Sequence, residues 1–277
     1  MNEKIAETIE LIQGDRVHGA GWLARKAVEA LAQAAEQGED PVEAGRALAL
    51  ARPSLAAVAG AVGRVLAAGR TQEQLLEQCR GLLERRDRAA HSIAVLLRPD
   101  LTGTVMTYSA SATVREAVVH ARPARVVCAV TEPHEEGRAL ADELSVEGLA
   151  VEVVADDDAA HAVTTVDLLL LGADSVFRDG SLVNKAGTAA LAAAANDAAV
   201  RVVVACETFK LTPVDPSAEG SWGDHVDADE QFDLVSADRI DRYVTEEGAF
   251  APDEIAALID RTPFVREGHE LLRSQTG

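Results

Sequence analysis

Two groups of acidic and basic residues follow short apolar runs in the second half of the chain. Asp174 ends the run "LLLLGAD", and Asn184 and Lys185 follow shortly after it in "LVNKAG". Glu207 and Lys210 lie in "ACETFK", after the run "RVVV". Carboxylates transfer protons and lysines bind phosphate, and ligands of open α/β sheets bind at the carboxyl ends of the strands. These residues therefore predict a polar site at one edge of a sheet.

The segment that follows "LLLLGAD" is predicted to form a hairpin and then a helix. Asp179 and Gly180 favour a two-residue turn. The stretch "GTAALAAAANDAA" is typical of a helix. Asn184 or Thr188 would lie near its start, where free N–H groups favour an anion, and Lys185 adds a positive charge. The combination predicts a phosphate ligand, although each residue alone also fits an ordinary turn, cap or solvated charge.

The order of elements predicts an α/β fold with an N-terminal helical domain. Residues 3 to about 97 carry apolar side chains at helical spacing, and Pro99 and Gly103 then end that pattern. We therefore expect a helical domain over 1–97 and a Rossmann-like domain over 98–277. The polar stretch 211–231 is expected to be a surface loop.

The second domain is predicted to contain a doubly wound, mostly parallel sheet. Short β-branched runs alternate with helical segments, as expected for strands buried on both faces. No G-x-G-x-x-G motif follows any of these runs, so no dinucleotide cofactor is expected. The predicted strands are "TVMTYS", "RVVCAV", "AVEVVA", "VDLLLLGA", "RVVVAC" and "FDLVS".

Composition excludes several classes of function. A formal charge of −20 repels phosphate backbones and anionic lipid, so neither direct nucleic-acid binding nor membrane association is expected. With no strongly apolar run of membrane-spanning length and no leader pattern, we expect a cytoplasmic protein. The scarcity of lysine and of aromatic residues on an acidic chain suggests life in concentrated salt. The cysteines Cys79, Cys128 and Cys206 are far apart, which predicts buried thiols and no metal site.

The two groups of site residues belong to longer motifs. The stretch "GADSVFRDGSLVNKAGTAALA" resembles the G-A-D, turn, N-K-x-G-T signature of the alpha, beta and delta subunits of translation initiation factor 2B. Ribose-1,5-bisphosphate isomerase and methylthioribose-1-phosphate isomerase share that signature. The stretch "ACETFK" is similar to the A-x-E-T-[YF]-K motif of the same family, and "ARPS", "TEPHEEGR" and "YVTEEG" are supporting matches. The resemblance covers nearly the whole chain and agrees with the fold predicted above.

The resemblance implies particular roles for residues of this chain. In the isomerases a cysteine and the aspartate of G-A-D move a proton or hydride between C1 and C2 of a ring-opened sugar phosphate. Asp174 matches that aspartate, and Asn184 and Lys185 match a pair near the substrate. The cysteine position is occupied by Ser109 in "MTYSASATV". An alcohol is a far poorer proton-transfer group than a thiol, which argues against catalysis by the family mechanism.

Other matched positions imply a ligand-facing N-terminal segment. His18, Gly19 and Ala20 occupy the place of an Arg-Gly-Ala segment, and His18 fits equally a helix start or a weaker replacement for the phosphate-binding arginine. Arg52 is expected to face the ligand. The E-[ST]-R-P segment is shortened and loses an arginine, for which Arg138 is the nearby substitute.

The resemblance leaves three hypotheses for function. The first is a non-catalytic regulatory protein with a sugar-phosphate or nucleotide pocket, which acts through protein contacts, with a translation initiation factor as one possible partner. The second is an isomerase that acts on ribose 1,5-bisphosphate, with Cys128 or Cys206 as alternative thiols. The third is a structural paralogue with a relict pocket. Members of the family pair through the C-terminal domain, which implies a homodimer or a hexamer.

Overall fold

The structure of the chain is a computed structural model that describes residues 3–16, 18–69, 71–132, 135–216 and 230–273. Five helices precede the first strand, as the sequence predicts. They are α1 (Glu3–Gly14), α2 (Ala20–Glu36), α3 (Pro41–Ala49), α4 (Ala56–Ala68) and α5 (Gln72–Leu97).

Local sequence signals set the ends of these helices. Asp40 caps α3, because its carboxylate accepts from the backbone N–H of Val42 at 2.8 Å and Pro41 occupies the first helical turn. Thr71 caps α5 in the same way, by accepting from the N–H of Gln74. The apolar faces of the helices then pack into one core, in which every buried position of α2 is an alanine, a leucine or a valine.

The remaining elements form two sheets and their covering helices. The strands are β1 (Thr104–Tyr108), β2 (Arg125–Ala129), β3 (Val151–Val154), β4 (Leu168–Leu171), β5 (Ser175–Val176), β6 (Leu182–Lys185), β7 (Arg201–Ala205), β8 (Phe232–Val235), β9 (Arg242–Thr245) and β10 (Gly248–Phe250). The helices are α6 (Ala112–Ala121), α7 (Glu136–Val146), α8 (Asp156–Ala162), α9 (Thr188–Asp197), α10 (Ile255–Arg261) and α11 (Val265–Arg273).

The main sheet is doubly wound and mostly parallel, in agreement with the prediction. Its strand order is β3-β2-β1-β4-β7-β9-β10, and only β10 runs antiparallel to its neighbour. Both faces are covered, as β4 shows. Leu168 and Leu170 pack into the core shared with α5, α6 and α7, whereas Leu169 and Leu171 pack on the opposite face against α8, α9 and α10. This double burial explains the uninterrupted apolar run.

A second, antiparallel sheet of β5, β6 and β8 corrects two predictions. The "FDLVS" run is a strand, but β8 pairs with β6 in this small sheet and lies outside the parallel one. The hairpin of β5 and β6 is confirmed, yet its turn is longer than the predicted two residues. Phe177 N–H donates to the carbonyl of Ser181 at 2.9 Å, so Arg178, Asp179 and Gly180 all lie in the turn. Gly180 supplies the left-handed conformation that this turn requires, with φ 82°.

The helical and α/β parts share two connecting helices. The helix α5 ends at Leu97, close to the predicted boundary, but Ile93 and Leu97 belong to the core beneath the sheet. The last helix, α11, packs on α4 and α3, so it contacts the helical layer. Gly63 and Gly268 allow α4 and α11 to touch backbone to backbone, since a Cβ on Gly63 would lie 2.9 Å from the Gly268 carbonyl oxygen.

The predicted surface loop lies only partly within the described residues. Of the stretch 211–231, residues 217–229 lie outside the described residues. Within the described ranges, no helix combines the length and the apolar character needed to cross a membrane.

The glycine contact between α4 and α11 predicts a measurable stability effect. Gly63→Ala should lower the free energy of unfolding by about 1–3 kcal/mol, because the added methyl forces the two backbones apart. Chemical denaturation in concentrated salt measures this change. The control is Gly81→Ala within α5, where the nearest atom is the flexible end of Arg85, and it should be neutral or stabilising by up to about 1 kcal/mol. Equal effects at the two positions would contradict the tight helix crossing.

Candidate functional site

A cavity of about 560 Å³ lies at the carboxyl ends of β1, β4 and β7. The strand order reverses between β1 and β4, because the chain builds β2 and β3 on one side of β1 and the later strands on the other. Such a crevice is the usual ligand site of a doubly wound sheet. Residues of α2 and α5 form the facing wall, so the cavity lies between the sheet and the helical layer.

Asp174 lies at the end of β4 and contributes to the cavity wall. Its backbone N–H donates to the carbonyl of Val183 at 2.9 Å, which fixes the residue beside the hairpin. Burial raises the pKa of its carboxyl group to about 6; Glu136 adds to the shift, and Lys210 opposes it. A carboxyl group with such a pKa exchanges protons near neutral pH, which suits a general acid or base.

Ser109, Glu136 and Lys185 form one connected group in the cavity wall. The hydroxyl of Ser109 donates to Oε2 of Glu136 at 2.5 Å, and Nζ of Lys185 donates to Oε1 of the same carboxylate at 2.7 Å. Ser109 has a φ of 64°, a left-handed conformation that is unusual for a residue other than glycine. Residues held in such conformations concentrate at functional sites. The position matched to the family cysteine is thus a serine whose hydroxyl is bound to a carboxylate.

Glu207 and Lys210 form a second, fully enclosed ion pair at the end of β7. Their charged atoms lie 3.1 Å apart, and Oγ1 of Thr113 donates to the other oxygen of Glu207 at 2.6 Å. Burial opposes the charge on both side chains. Their mutual attraction, together with the Thr113 hydrogen bond to Glu207 and the negative charge of Asp174 near Lys210, outweighs burial. The pKa of Lys210 is therefore raised and that of Glu207 is lowered. The pair stays ionised and supplies fixed dipoles to the cavity floor.

The predicted anion site at the start of α9 is already occupied by a side chain. Asn184 and Lys185 lie in β6, not at a helix start, and α9 begins at Thr188. The carboxylate of Asp233 accepts from the N–H of Gly187 at 2.7 Å and from that of Ala189 at 3.1 Å. A phosphate on these N–H groups is therefore excluded. Asn184 still lines the cavity, and its Nδ2 donates to Thr188.

The helical layer contributes His18, Gly19 and Arg52 to the cavity, as expected from their motifs. His18 stacks on Trp22 with ring centroids 3.8 Å apart, and its Nδ1 lies 2.7 Å from Oδ2 of Asp15. Arg52 donates from Nη1 to the carbonyl of Asp15 at 3.0 Å and from Nη2 to Oε1 of Gln231 at 2.8 Å. These contacts tie the segment before α2 to the loop that follows α3.

Arg138 and the cysteines lie away from the residues that line the cavity. Arg138 is exposed on α7 and pairs with Glu135 at 3.3 Å, so it does not replace the missing arginine. The prediction of buried thiols is confirmed for all three cysteines. Cys128 and Cys206 are fully enclosed, and burial raises the pKa of the Cys128 thiol to about 12 and that of Cys206 further. Neither is an alternative catalytic thiol.

The charges around the cavity are nearly balanced, in contrast to the rest of the chain. Among the described residues, six cationic side chains face five carboxylates there, although the whole chain carries a net charge of −20. The cations are Arg16, Arg52, Arg86, Arg115, Lys185 and Lys210, and the carboxylates are Asp15, Glu136, Glu143, Asp174 and Glu207. Against so acidic a background this concentration of cations favours an anionic ligand.

Comparison with known proteins identifies the family of the chain and agrees with its fold. The sequence model of the Initiation factor 2 subunit family matches residues 16–252, a span that contains all the cavity residues described above except Asp15. The chain belongs to that family. The relatives of this chain carry two kinds of name: some are called eIF-2B subunit-like proteins and others ribose 1,5-bisphosphate isomerases.

The relatives of the two kinds are similarly distant. A translation initiation factor eIF-2B subunit 2-like protein of Pyrococcus abyssi is 31% identical over 229 residues, which cover 78% of this chain and 83% of that protein. A ribose 1,5-bisphosphate isomerase of Archaeoglobus fulgidus is 26% identical over 284 residues, with 91% of each chain covered. Sequence similarity therefore leaves the choice between the two names open.

Solved structures of the family have the same fold. The translation initiation factor eIF-2B of Pyrococcus horikoshii superposes with a TM-score of 0.80 at 26% identity and covers 91% of this chain and 98% of its own. The tetrameric eIF2B-beta2-delta2 complex of C. thermophilum contains a chain with a TM-score of 0.80 at 22% identity, covering 92% and 93%. That chain of C. thermophilum is therefore part of a tetramer.

Several charged residues of the cavity were not predicted from the sequence, among them Glu136 and Arg86. Glu136 lies within the "TEPHEEGR" motif, but the motif gives no indication that its carboxylate meets Lys185, 49 residues away. Arg86 lies in the charged run "ERRDR" of α5, where it resembles an ordinary surface residue. Within the motif "TEPHEEGR", Pro133 and His134 lie outside the described residues.

The raised pKa of Asp174 predicts a pH-dependent stability difference. The folded state holds the Asp174 proton more tightly than the unfolded chain does. This carboxyl group therefore stabilises the folded state below about pH 4, and that stabilisation is lost as the pH rises through about 6. Asp174→Asn, which mimics the protonated form, should therefore be more stable than the parent at pH 7.5, by about 3 kcal/mol at most, and no more stable at pH 4.

Denaturant titrations at the two pH values in concentrated salt measure this difference. The control is Asp142→Asn on the exposed side of α7, which should give a small change that is the same at both pH values. A stability gain for Asp174→Asn that did not depend on pH would contradict the titration assigned to Asp174.

Proposed function

We propose that this protein is a non-catalytic, regulatory member of the Initiation factor 2 subunit family that binds a phosphorylated small molecule in the cavity. The observation that carries the proposal is the contact of Ser109 with Glu136, at the position where the isomerases are expected to carry their cysteine. The hydroxyl donates to a carboxylate, and no cysteine is found among the described residues that line the cavity. The thiol that the family reaction requires has no counterpart there.

The cavity supports a ligand of the sugar-phosphate or nucleoside-monophosphate class. Its volume of about 560 Å³ lies in the usual range for small-molecule sites. Carboxylates such as Asp174 and Glu136 accept from ligand hydroxyls, while the surrounding arginines and lysines attract phosphate. A molecule that combines hydroxyls with phosphate satisfies both sets of groups.

The second candidate is an aldose-ketose isomerase that converts ribose 1,5-bisphosphate to ribulose 1,5-bisphosphate. One observation favours it, namely that the carboxyl group of Asp174 faces the cavity with a pKa of about 6. Such a group is suited to take a proton from one carbon of the sugar and return it to the neighbouring carbon. The relatives named as isomerases are consistent with this candidate.

The regulatory proposal implies protein partners. The tetramer found for the C. thermophilum relative supports a self-associating surface, and we propose a homodimer or hexamer for this chain. A translation initiation factor is the proposed partner of that assembly, in line with the names of the eIF-2B-like relatives. Light scattering after gel filtration in concentrated salt measures the assembly, and co-purification from native cells tests the partner. A monomeric protein that does not co-purify with any translation factor would contradict this part of the proposal.

Incubation with ribose 1,5-bisphosphate separates the two candidate functions. We expect the compound to raise the unfolding temperature without forming a ketose, because ligand binding to the folded state stabilises it by about 2.7 kcal/mol at one hundred times Kd. Unfolding in concentrated salt and product detection by NMR measure the two effects. Ketose formation that Asp174→Asn abolishes would instead establish the isomerase. No stabilisation by ribose 1,5-bisphosphate, methylthioribose 1-phosphate or nucleoside monophosphates would leave only a relict pocket.

The contact of Lys185 with Glu136 predicts the effect of removing one cation. Lys185→Met should weaken binding of ribose 1,5-bisphosphate by more than tenfold, because Glu136 is left as an unpaired carboxylate next to an anionic ligand. The control is the double variant Lys185→Met/Glu136→Gln, which removes the stranded charge and should regain part of the affinity. Isothermal titration in concentrated salt measures both. Equal affinity for the parent and Lys185→Met would show that the ligand lies elsewhere.

A further inference from the structure

Arg86 brings a cation from the helical layer into the cavity. It lies on α5 and is among the residues that line the cavity, although only 19% of its side chain is exposed. Its one hydrogen bond among the described residues runs from Nη1 to Oδ1 of the adjacent Asp87, at 3.1 Å. That oxygen also accepts from Nη2 of Arg25 at 2.5 Å, so Asp87 is shared between two arginines.

One edge of the Arg86 guanidinium has no acceptor. Nε is buried without a hydrogen-bond partner, and no residue that the structure describes accepts from Nη2. These two nitrogens point along the same edge of the planar group. A phosphate or carboxylate binds such an edge through two parallel hydrogen bonds. Since buried donors are normally satisfied, the empty edge indicates a ligand atom or group.

The start of α2 leaves space beside this edge, because Gly21 carries no side chain. A Cβ at Gly21 would lie 3.1 Å from Nη2 and 3.6 Å from Nε of Arg86, so any larger residue would press on the guanidinium. Gly21 directly follows Gly19 and Ala20, the segment that resembles the Arg-Gly-Ala motif. The arginine of that motif is His18 here, and the imidazole is already engaged with Asp15 and Trp22. The cation at this end of the cavity therefore comes from a different helix.

We propose that Arg86 binds a phosphate group of the ligand through Nε and Nη2, in place of an arginine at position 18. The assignment rests on the proposed function, in that the cavity holds a phosphorylated molecule. It deepens that function because it names the residue of the helical layer that contacts the phosphate. Lys185 approaches from the sheet, so a bound phosphorylated molecule contacts both parts of the chain.

Titration of the full-length protein with ribose 1,5-bisphosphate in concentrated salt tests the assignment. Arg86→Gln should lower the affinity by at least tenfold, and Arg86→Lys should recover only part of it, because lysine keeps the charge and loses the planar edge. Gly21→Ala should also weaken binding, without any change in charge. Arg88→Gln, an exposed position on the same helix, is the matched control and should bind like the parent. Unfolding temperatures without ligand verify that each variant is folded.

The outcomes separate this inference from the proposed function. Equal affinity of the parent and Arg86→Gln would overturn the role of Arg86 and leave the phosphate pocket in place. A parent that binds no phosphorylated compound would overturn the pocket and the Arg86 assignment together. Full recovery by Arg86→Lys would overturn the two-bond contact. Equal weakening of ribose and of ribose 1,5-bisphosphate by Arg86→Gln would overturn the assignment to phosphate, since only the latter carries that group.

Discussion

The enclosed charges of the cavity floor impose the constraint that the surrounding structure satisfies. A buried ammonium is strongly disfavoured unless a carboxylate neutralises it and hydrogen bonds satisfy both groups. Lys210 has Glu207, which Thr113 also contacts, and Lys185 has Glu136, which Ser109 also contacts. These contacts bring together the ends of β1, β6 and β7 and the starts of α6 and α7. The pairing of the buried charges therefore requires these elements to lie close together at the cavity.

The same pairing determines what a ligand encounters. The floor is internally neutralised, so a phosphate gains little there unless a carboxylate is displaced or protonated. Asp174, which holds its proton more tightly than an exposed aspartate, is one carboxyl group that can become neutral as an anion approaches. The donor edge without an acceptor lies instead on Arg86 of the helical wall. A ligand with its hydroxyls near the sheet and its phosphate near the helices suits this distribution of charge.

Sequence patterns predicted the main sheet well because strands that are buried on both faces have uninterrupted apolar runs. Runs such as "LLLL" at Leu168–Leu171 have no polar alternation, and the structure encloses every one of those residues. Sequence patterns did not predict which strands pair with one another. The run at Phe232–Val235 has the composition of a strand, but only its pairing with β6 assigns it to the small sheet. The short strands Arg242–Thr245 and Gly248–Phe250 lacked an apolar run long enough to be recognised.

The site was predictable to the extent that its residues belong to contiguous motifs. Asp174, Lys185 and Glu207 follow apolar runs, and the carboxyl edge of the sheet brings them to one cavity. The helix-start interpretation of Asn184 failed because Asp233, distant in sequence, takes the N–H groups of α9. Arg86 was missed for a similar reason, since its open edge depends on the absence of a side chain at Gly21.

The packing of α11 on α4 also has a consequence for biosynthesis. The helical layer comes from the beginning of the chain, yet Arg46 donates to the carbonyl of Leu271, and Gly63 touches Gly268. Domains normally fold in order as they emerge from the ribosome. In this protein the part of α3 and α4 that α11 covers is completed only when residues 265–273 have been made. A nascent chain therefore exposes that part of its helical layer long after the rest of the layer has been synthesised.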